Sequence, residues 1–202
     1  MICHFLFFLV INRYMVLCLS PPDDNNPTLA VSLPNRTKTK HNISNMKITW
    51  DDLKVDFTHI DLKRLIESWD WLIGNDKTPI LVSSIGDIFL EDRNEKCYWL
   101  NVGEGIIEKV AEDKTEFKEK LKDNEIVSEW FLVELVAELK KRGMELTEKK
   151  LYGYIKLPVL GGEYEPENFE LTDIEVHFEL SGQIHKQIKD LPDGTNVKIV
   201  TE

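Results

Sequence analysis

The chain predicts an α+β protein: an antiparallel β-meander, or mixed sheet, packed by α-helices in a single domain with a disordered N-terminal tail. Three observations predict it. Four short apolar runs between residues 79 and 110 are separated by turns rich in Gly, Asn and Asp. Amphipathic helical stripes precede and follow these runs. The first 45 residues differ sharply in composition from the rest.

Residues 2–11 are apolar, Asn12 and Arg13 interrupt, and Tyr14–Leu19 resume the apolar character. A secretory signal wants a basic start and a small-residue cleavage site, and neither is present. A membrane-spanning helix wants about 20 apolar residues without a central charge. Ser20–Asn45 is rich in Pro, Asn, Asp, Thr and Ser, a composition that predicts disorder. Two glycosylation-type strings, Asn35-Arg36-Thr37 and Asn42-Ile43-Ser44, matter only in a secreted eukaryotic protein. Residues 1–45 are therefore expected to be an over-called start, with a weak signal or membrane anchor as the alternative. Met46 reads as the true start, and 46–202 as one domain, long enough to bury a core.

The whole chain carries a net charge of −11. Residues 1–45 hold Asp23 and Asp24 against four cations, so the remainder holds 34 acidic and 21 basic residues, a net −13. Such a surface repels phosphate backbones and anionic lipid and suits a basic partner; solubility is the plainer use. Of the three cysteines only Cys97 falls in the domain. It reads as a small core residue in a reducing cytoplasm, with no metal or disulfide spacing.

Thr49 and Asp51 are placed to cap a short helix. From Asp61, Leu62, Leu65, Ile66, Trp69 and Ile73 form one apolar face, stopped by Gly74-Asn75-Asp76. Trp69 reads as core and Trp71 as lying at its edge. The predicted strands are 79–83, 87–90, 98–102 and 106–110. Asp87, directly after Gly86, reads as a turn cap, with a catalytic role as the alternative. Helices are expected over 113–122 and 125–142, the second with a face wide enough to lie across the sheet. Lys140-Lys141-Arg142-Gly143 suits a helix C-terminus.

The last third concentrates Gly, Pro and aromatic residues. Leu151–Leu157 predicts a strand ended by Pro158. Gly161-Gly162 predicts a tight turn, because a phosphate loop would need a lysine and more glycines, and Glu163 and Glu165 oppose an anion. A short strand over 168–171 leads to Thr172-Asp173-Ile174-Glu175, which fits a capping box. Ile174, Phe178, Ser181, Ile184 and Ile188 then mark a helical stripe. His177 and His185 lie about 12 Å apart on such a helix, too far to share one zinc ion. Ser181 between them lacks an orienting acid or oxyanion motif. Gly182 inside the helix implies close packing, against Trp130 or the Gly161-Gly162 loop. Pro192-Asp193-Gly194 predicts a turn, and Val197–Val200 a final edge strand.

Several strings together carry a resemblance: Gly86–Leu90, Tyr98–Gly105, Glu129-Trp130-Phe131, Tyr152-Gly153-Tyr154, Pro158–Tyr164, His177-Phe178, Gly182–His185 and Lys189–Gly194. Over Met46–Val200 the chain resembles the C-terminal domain of type VI secretion DNase-immunity proteins. The resemblance implies a cytoplasmic inhibitor that binds a nuclease toxin, with no catalytic set, metal or cofactor. It marks Gly161, Gly162, Glu163, Tyr164, Gln183 and His185 as a partner-facing or structurally required surface.

Three functions follow. The first is an interaction module whose carboxylates pair with a basic nuclease toxin. The second is a small hydrolase using Glu163, His177 or His185, which requires those side chains to converge in one cleft. The third is a scaffold or regulatory module with another protein partner.

Overall fold

A computed structural model describes residues 7–11, 15–20, 47–192 and 195–201. The chain divides into two compact units, Leu33–Gly182 and a smaller one built from Met1–Ser32 with Gln183–Glu202. The fold is α+β, as the sequence predicts. Among the described residues no helix is long and apolar enough to cross a membrane.

The larger unit is organised by an antiparallel meander of β3 (Thr78–Val82), β4 (Ile88–Glu91), β5 (Cys97–Asn101) and β6 (Ile106–Ala111), in that order. Phe89 pairs with Trp99, and Leu100 with Ile107. Successive side chains point to opposite faces, and both faces are buried. Phe89, Cys97 and Trp99 belong to one apolar cluster, while Ile88, Leu90 and Leu100 belong to another. Burial on both sides is why these strands read as continuous apolar runs.

Three helices cover the Phe89 face: α4 (Lys114–Lys120), α5 (Asn124–Phe131) and α6 (Val133–Lys141). The Asp113 carboxylate caps α4, accepting from Thr115 N at 2.7 Å, and Asp123 caps α5, accepting from Glu125 N at 2.8 Å. The single helix expected over 125–142 is broken at Leu132, which adopts φ +47°. The apolar run Trp130-Phe131-Leu132-Val133 explains the break. Four successive residues sweep about 300° around a straight helix, so one face cannot bury them all. The left-handed residue turns the chain, and Trp130, Phe131 and Leu132 are all buried. That conformation costs about 1–2 kcal/mol, which burial of the leucine offsets.

The opposite face carries α2 (Leu62–Ile66), a 3-10 turn (Glu67–Trp69), α3 (Asp70–Ile73) and the start of α7 (Ile174–Ile188). The continuous helix expected from Asp61 is thus interrupted. The tighter turn sets Trp69 fully inward, where its indole N–H donates to the Phe178 carbonyl at 3.0 Å. Ahead of these lies α1 (Trp50–Leu53), where Thr49 N donates to Asp52 at 2.8 Å, so Asp52 and not Asp51 completes the cap. At α7, Asp173 and not Thr172 is the cap, accepting from Glu175 N at 3.0 Å. A two-stranded pair, β7 (Lys150–Tyr154) and β8 (Phe169–Asp173), completes the larger unit.

The smaller unit holds β1 (Phe7–Ile11), β2 (Met15–Ser20) and β9 (Asn196–Thr201) in antiparallel order β1-β2-β9. The apolar block near the start therefore supplies two strands, and the expected final strand pairs with one of them. Of Ser20–Asn45, expected to be disordered, Ser20 ends β2 and the rest lies outside the described residues, as do Met46 and Asp193 and Gly194 of the expected turn.

Gly182 packs against Ser68, not against Trp130 or the Gly161-Gly162 loop. A Cβ there would lie 2.8 Å from both the Ser68 carbonyl oxygen and its Cβ. Helix propensity alone favours Gly182→Ala by up to about 1 kcal/mol. The backbone clash reverses that sign, and urea denaturation should show a loss of roughly 2 kcal/mol. An unchanged or raised midpoint contradicts the packing.

Candidate functional site

The motif residues Gly161–Tyr164 lie in the loop joining β7 to β8. Its first turn is a 3-10 segment, Pro158–Leu160, where proline suits the first helical position. Gly161 ends that turn at φ +85°, a conformation that favours glycine. Gly162 then returns its N–H to the Leu157 carbonyl at 3.0 Å. A Cβ on Gly162 would lie 1.8 Å from the Lys156 carbonyl oxygen, so no other residue fits without moving the backbone. The second turn is Pro166–Asn168.

Asn168 holds the loop closed. Its side-chain oxygen accepts from Lys156 N at 2.9 Å. Its amide donates to the carbonyls of Lys156 at 2.8 Å and Glu163 at 2.9 Å. One side chain thus satisfies three backbone groups that a bare loop would leave to water. Nothing in the sequence pattern distinguishes this asparagine from an ordinary turn residue.

The loop is also tied to its surroundings. Val159 N donates to the Gly103 carbonyl at 3.2 Å. Tyr164, 3% exposed, donates its hydroxyl to Glu104 at 3.1 Å and packs edge-on against Tyr154. Arg142 bridges Glu167 at 2.7 Å and Glu138 at 3.1 Å. These carboxylates hold the guanidinium pKa above its ordinary value. The Lys140-Lys141-Arg142 cations are therefore engaged locally. Lys140 pairs with Asp52, and Lys141 with Glu138 at 3.4 Å. Burial pushes the Asp52 carboxyl up, but Lys140 and Thr49 outweigh it and hold the pKa below the usual carboxylate value.

From Gly162 to Glu167 the loop alternates inward and outward. Gly162, Tyr164 and Pro166 are buried, while Glu163, Glu165 and Glu167 are exposed. Ile155 at the loop entrance is 61% exposed. The outer face is thus a line of carboxylates beside an apolar side chain, on a frame held by hydrogen bonds.

The remaining expected site residues fall elsewhere. Gln183 is half-buried on α7, and His185 is 4% exposed. Of the six, Gly161, Glu163 and part of Gln183 reach the surface. Gly162, Tyr164 and His185 are buried.

The hydrolase reading needs Glu163 and the histidines in one cleft; the structure buries His177 and His185 and leaves Glu163 exposed. His177 is buried between aromatic rings, 6.3 Å from the Tyr154 centroid and 5.2 Å from that of Phe178. Its Nε2 donates to the Gly86 carbonyl at 3.1 Å. Gly86 and Gly153 press on the imidazole, and a Cβ at Gly86 would lie 2.2 Å from Nε2. Burial drives the His177 pKa down to about 4, partly opposed by the Gly86 bond, so the ring is neutral at pH 7. Ser181 donates its hydroxyl back to the His177 carbonyl one turn earlier, a structural use. Glu163 stands exposed on the loop, and no reacting atom can reach a buried imidazole.

Asp87 is neither a simple turn cap nor a catalytic acid. Fully buried, its carboxylate accepts from Trp99 Nε1 at 3.2 Å and from Val102 N at 2.9 Å. Cys97 is a core residue, and its thiol pKa is raised, first by burial and then by Glu91. Among the described residues no group of three or more His, Cys, Asp or Glu is placed to hold a metal ion.

Residues 111–185 match the family model described as T6SS immunity protein Tdi1, C-terminal. The matched stretch runs from the end of β6 into α7 and contains all six motif residues. The strings at Gly86–Leu90 and Tyr98–Gly105, part of the resemblance read over Met46–Val200, precede it. None of the curated proteins matches the chain. Among solved structures, one described as the crystal structure of Atu4351 from Agrobacterium tumefaciens is similar, with a TM-score of 0.46 and 17% identity. The similarity covers 60% of this chain and 64% of that one.

Two measurements probe the site's frame. Asn168→Ala should cost roughly 1 kcal/mol, because three hydrogen bonds that close the loop are exchanged for bonds to water, and should raise amide exchange across 155–168. Native exchange there would remove Asn168 from its role. His177 stays neutral when folded but titrates near 6.5 when unfolded, so the unfolded chain binds the extra proton. Its contribution is complete above pH 6.5 and is lost as pH falls towards 4, about 3 kcal/mol in all. His177→Gln should flatten that part of the stability profile, and an unchanged slope contradicts the assignment.

Proposed function

We propose that this chain is an immunity protein that binds and neutralises a nuclease toxin in the cytoplasm, acting by contact and without chemistry of its own. The match of residues 111–185 to the T6SS immunity family carries this reading. The loop that the match contains presents Glu163, Glu165 and Glu167 outward, the geometry that meets a cationic surface. Carboxylates of this kind pair with the arginines and lysines that a nuclease uses for phosphate. In this reading Gly161 and Glu163 contribute contact surface on the loop, and Gly162 and Tyr164 hold its frame. Gln183, partly exposed on α7, contributes from its own unit, and His185, buried there, is structurally required. A net charge of −11 steers the encounter and makes its rate salt-dependent.

The reading expects a nuclease toxin to be encoded beside this gene, and the test is co-expression with it. The wild-type chain should restore growth and bind the purified toxin. Glu163→Lys with Glu165→Lys and Glu167→Lys should weaken binding about tenfold or more, mostly through the association rate. A chain that neither binds nor protects overturns the immunity reading. Binding that the triple reversal leaves unchanged keeps that reading and removes the loop as its acidic contact.

A further inference from the structure

The larger unit has a second surface whose chemistry is opposite to that of the loop. Trp50, the first residue of α1, is 42% exposed although its ring meets Phe131 edge-on at 5.5 Å. With Leu81 of β3 and Leu121 at the end of α4 it floors a groove of about 350 Å³. Leu81 and Leu121 are half-buried against the same apolar cluster that holds Phe131. The floor is therefore an open edge of the core, rigid beneath and apolar above.

The rest of the lining is Lys54, Lys118 and Lys122, and no carboxylate lines it. In a chain of net charge −11 this is a local reversal of sign. Lys54 pairs with Asp51 at 3.5 Å and Lys122 with Glu119 at 2.6 Å, but both pairs are solvent-exposed and exchange partners at little cost. Lys118 is exposed and forms no ion pair among the described residues. Three ammonium groups thus surround an apolar floor with room for one large side chain.

We propose that this groove docks a segment of a partner protein in which one large apolar side chain sits between carboxylates. The apolar side chain covers Trp50, Leu81 and Leu121, where a tryptophan already half-desolvated gives a binding anchor. The flanking carboxylates take the three lysines. A basic peptide is repelled by that rim. Nucleic acid meets too few cations here and the acidic surface of the rest of the chain. This inference does not rest on the nuclease reading, since the loop carboxylates and the lysine groove select opposite charges.

The experiment uses the full chain and three labelled fifteen-residue peptides, followed by fluorescence anisotropy at low salt. One carries a central Trp flanked by Glu, one the same Trp flanked by Lys, and one a central Ala flanked by Glu. The Glu-flanked Trp peptide should bind at least tenfold tighter than either of the others. Lys118→Glu on α4 with Lys122→Glu just after it, both exposed, should invert the charge preference without unfolding the chain. Trp50→Ala should weaken the Glu-flanked Trp peptide and leave the Ala-centred one little changed, and circular dichroism checks its fold. Equal affinities, or a preference that survives the double reversal, overturn the proposal. So do anionic vesicles or single-stranded DNA bound in place of the peptide, or self-association abolished by the same double reversal.

Discussion

The turn between β3 and β4 is the constraint on which the larger unit depends. Ser83–Asp87 is buried; Ser83 bonds to Gly86 and Asp87 within the turn, while Ser84, the Gly86 carbonyl and the Asp87 carboxylate reach other elements. Ser84 N donates to the Leu53 carbonyl at 2.9 Å, and the Ser84 carbonyl accepts from Tyr152 N at 2.7 Å. The Gly86 carbonyl takes the His177 imidazole, and the Asp87 carboxylate takes Trp99 and Val102. Five bonds from three turn residues to five partners thus fix α1, β5, the turn after it, β7 and α7 around one point. A buried turn is tolerable because such partners satisfy its polar side chains, all but the Ser84 hydroxyl. Gly86 is required twice, by its φ of +85° and by the imidazole lying where a side chain would be.

Around that point the packing is aromatic. Phe89 touches Trp99, Phe117, Trp130 and Phe131, with centroids between 5.2 and 6.4 Å. Within the same cluster Tyr154 meets Phe169 and Tyr164, and also His177. That end of the cluster carries the loop, so the Glu163–Glu167 face inherits its rigidity from the core beneath it. A pre-formed loop loses little entropy when it binds a partner.

The histidines show the same economy. In an enzyme a histidine with a displaced pKa marks a candidate acid or base. Here the displacement comes from complete burial, and the imidazole serves as a hydrogen-bond donor to a carbonyl. Two exposed patches differ in the charge they present: carboxylates along the loop, and lysines lining the groove beside Trp50. Separate surfaces of opposite charge are the tools of recognition.

Local pattern was enough to place the meander, because alternation, turn residues and apolar runs are encoded within a few positions. The same holds for α4, β7, β8 and α7, and for the T6SS immunity resemblance, confirmed over residues 111–185. Two helices were misread as continuous. The breaks at Leu132 and at Glu67–Trp69 answer to what lies across the sheet, which periodicity does not contain. The site was legible only in outline. Gly161-Gly162 announced a tight turn, but Asn168 as its clasp, Ser68 as the partner of Gly182 and Asp87 as a buried anchor are contacts across 5 to 114 positions. Sequence by itself determined the elements, the acidity and the crowded last third, since those depend on composition and short-range geometry. Only the tertiary structure decided which glutamates face outward and which histidine is sealed, because burial is set by neighbours distant in the chain.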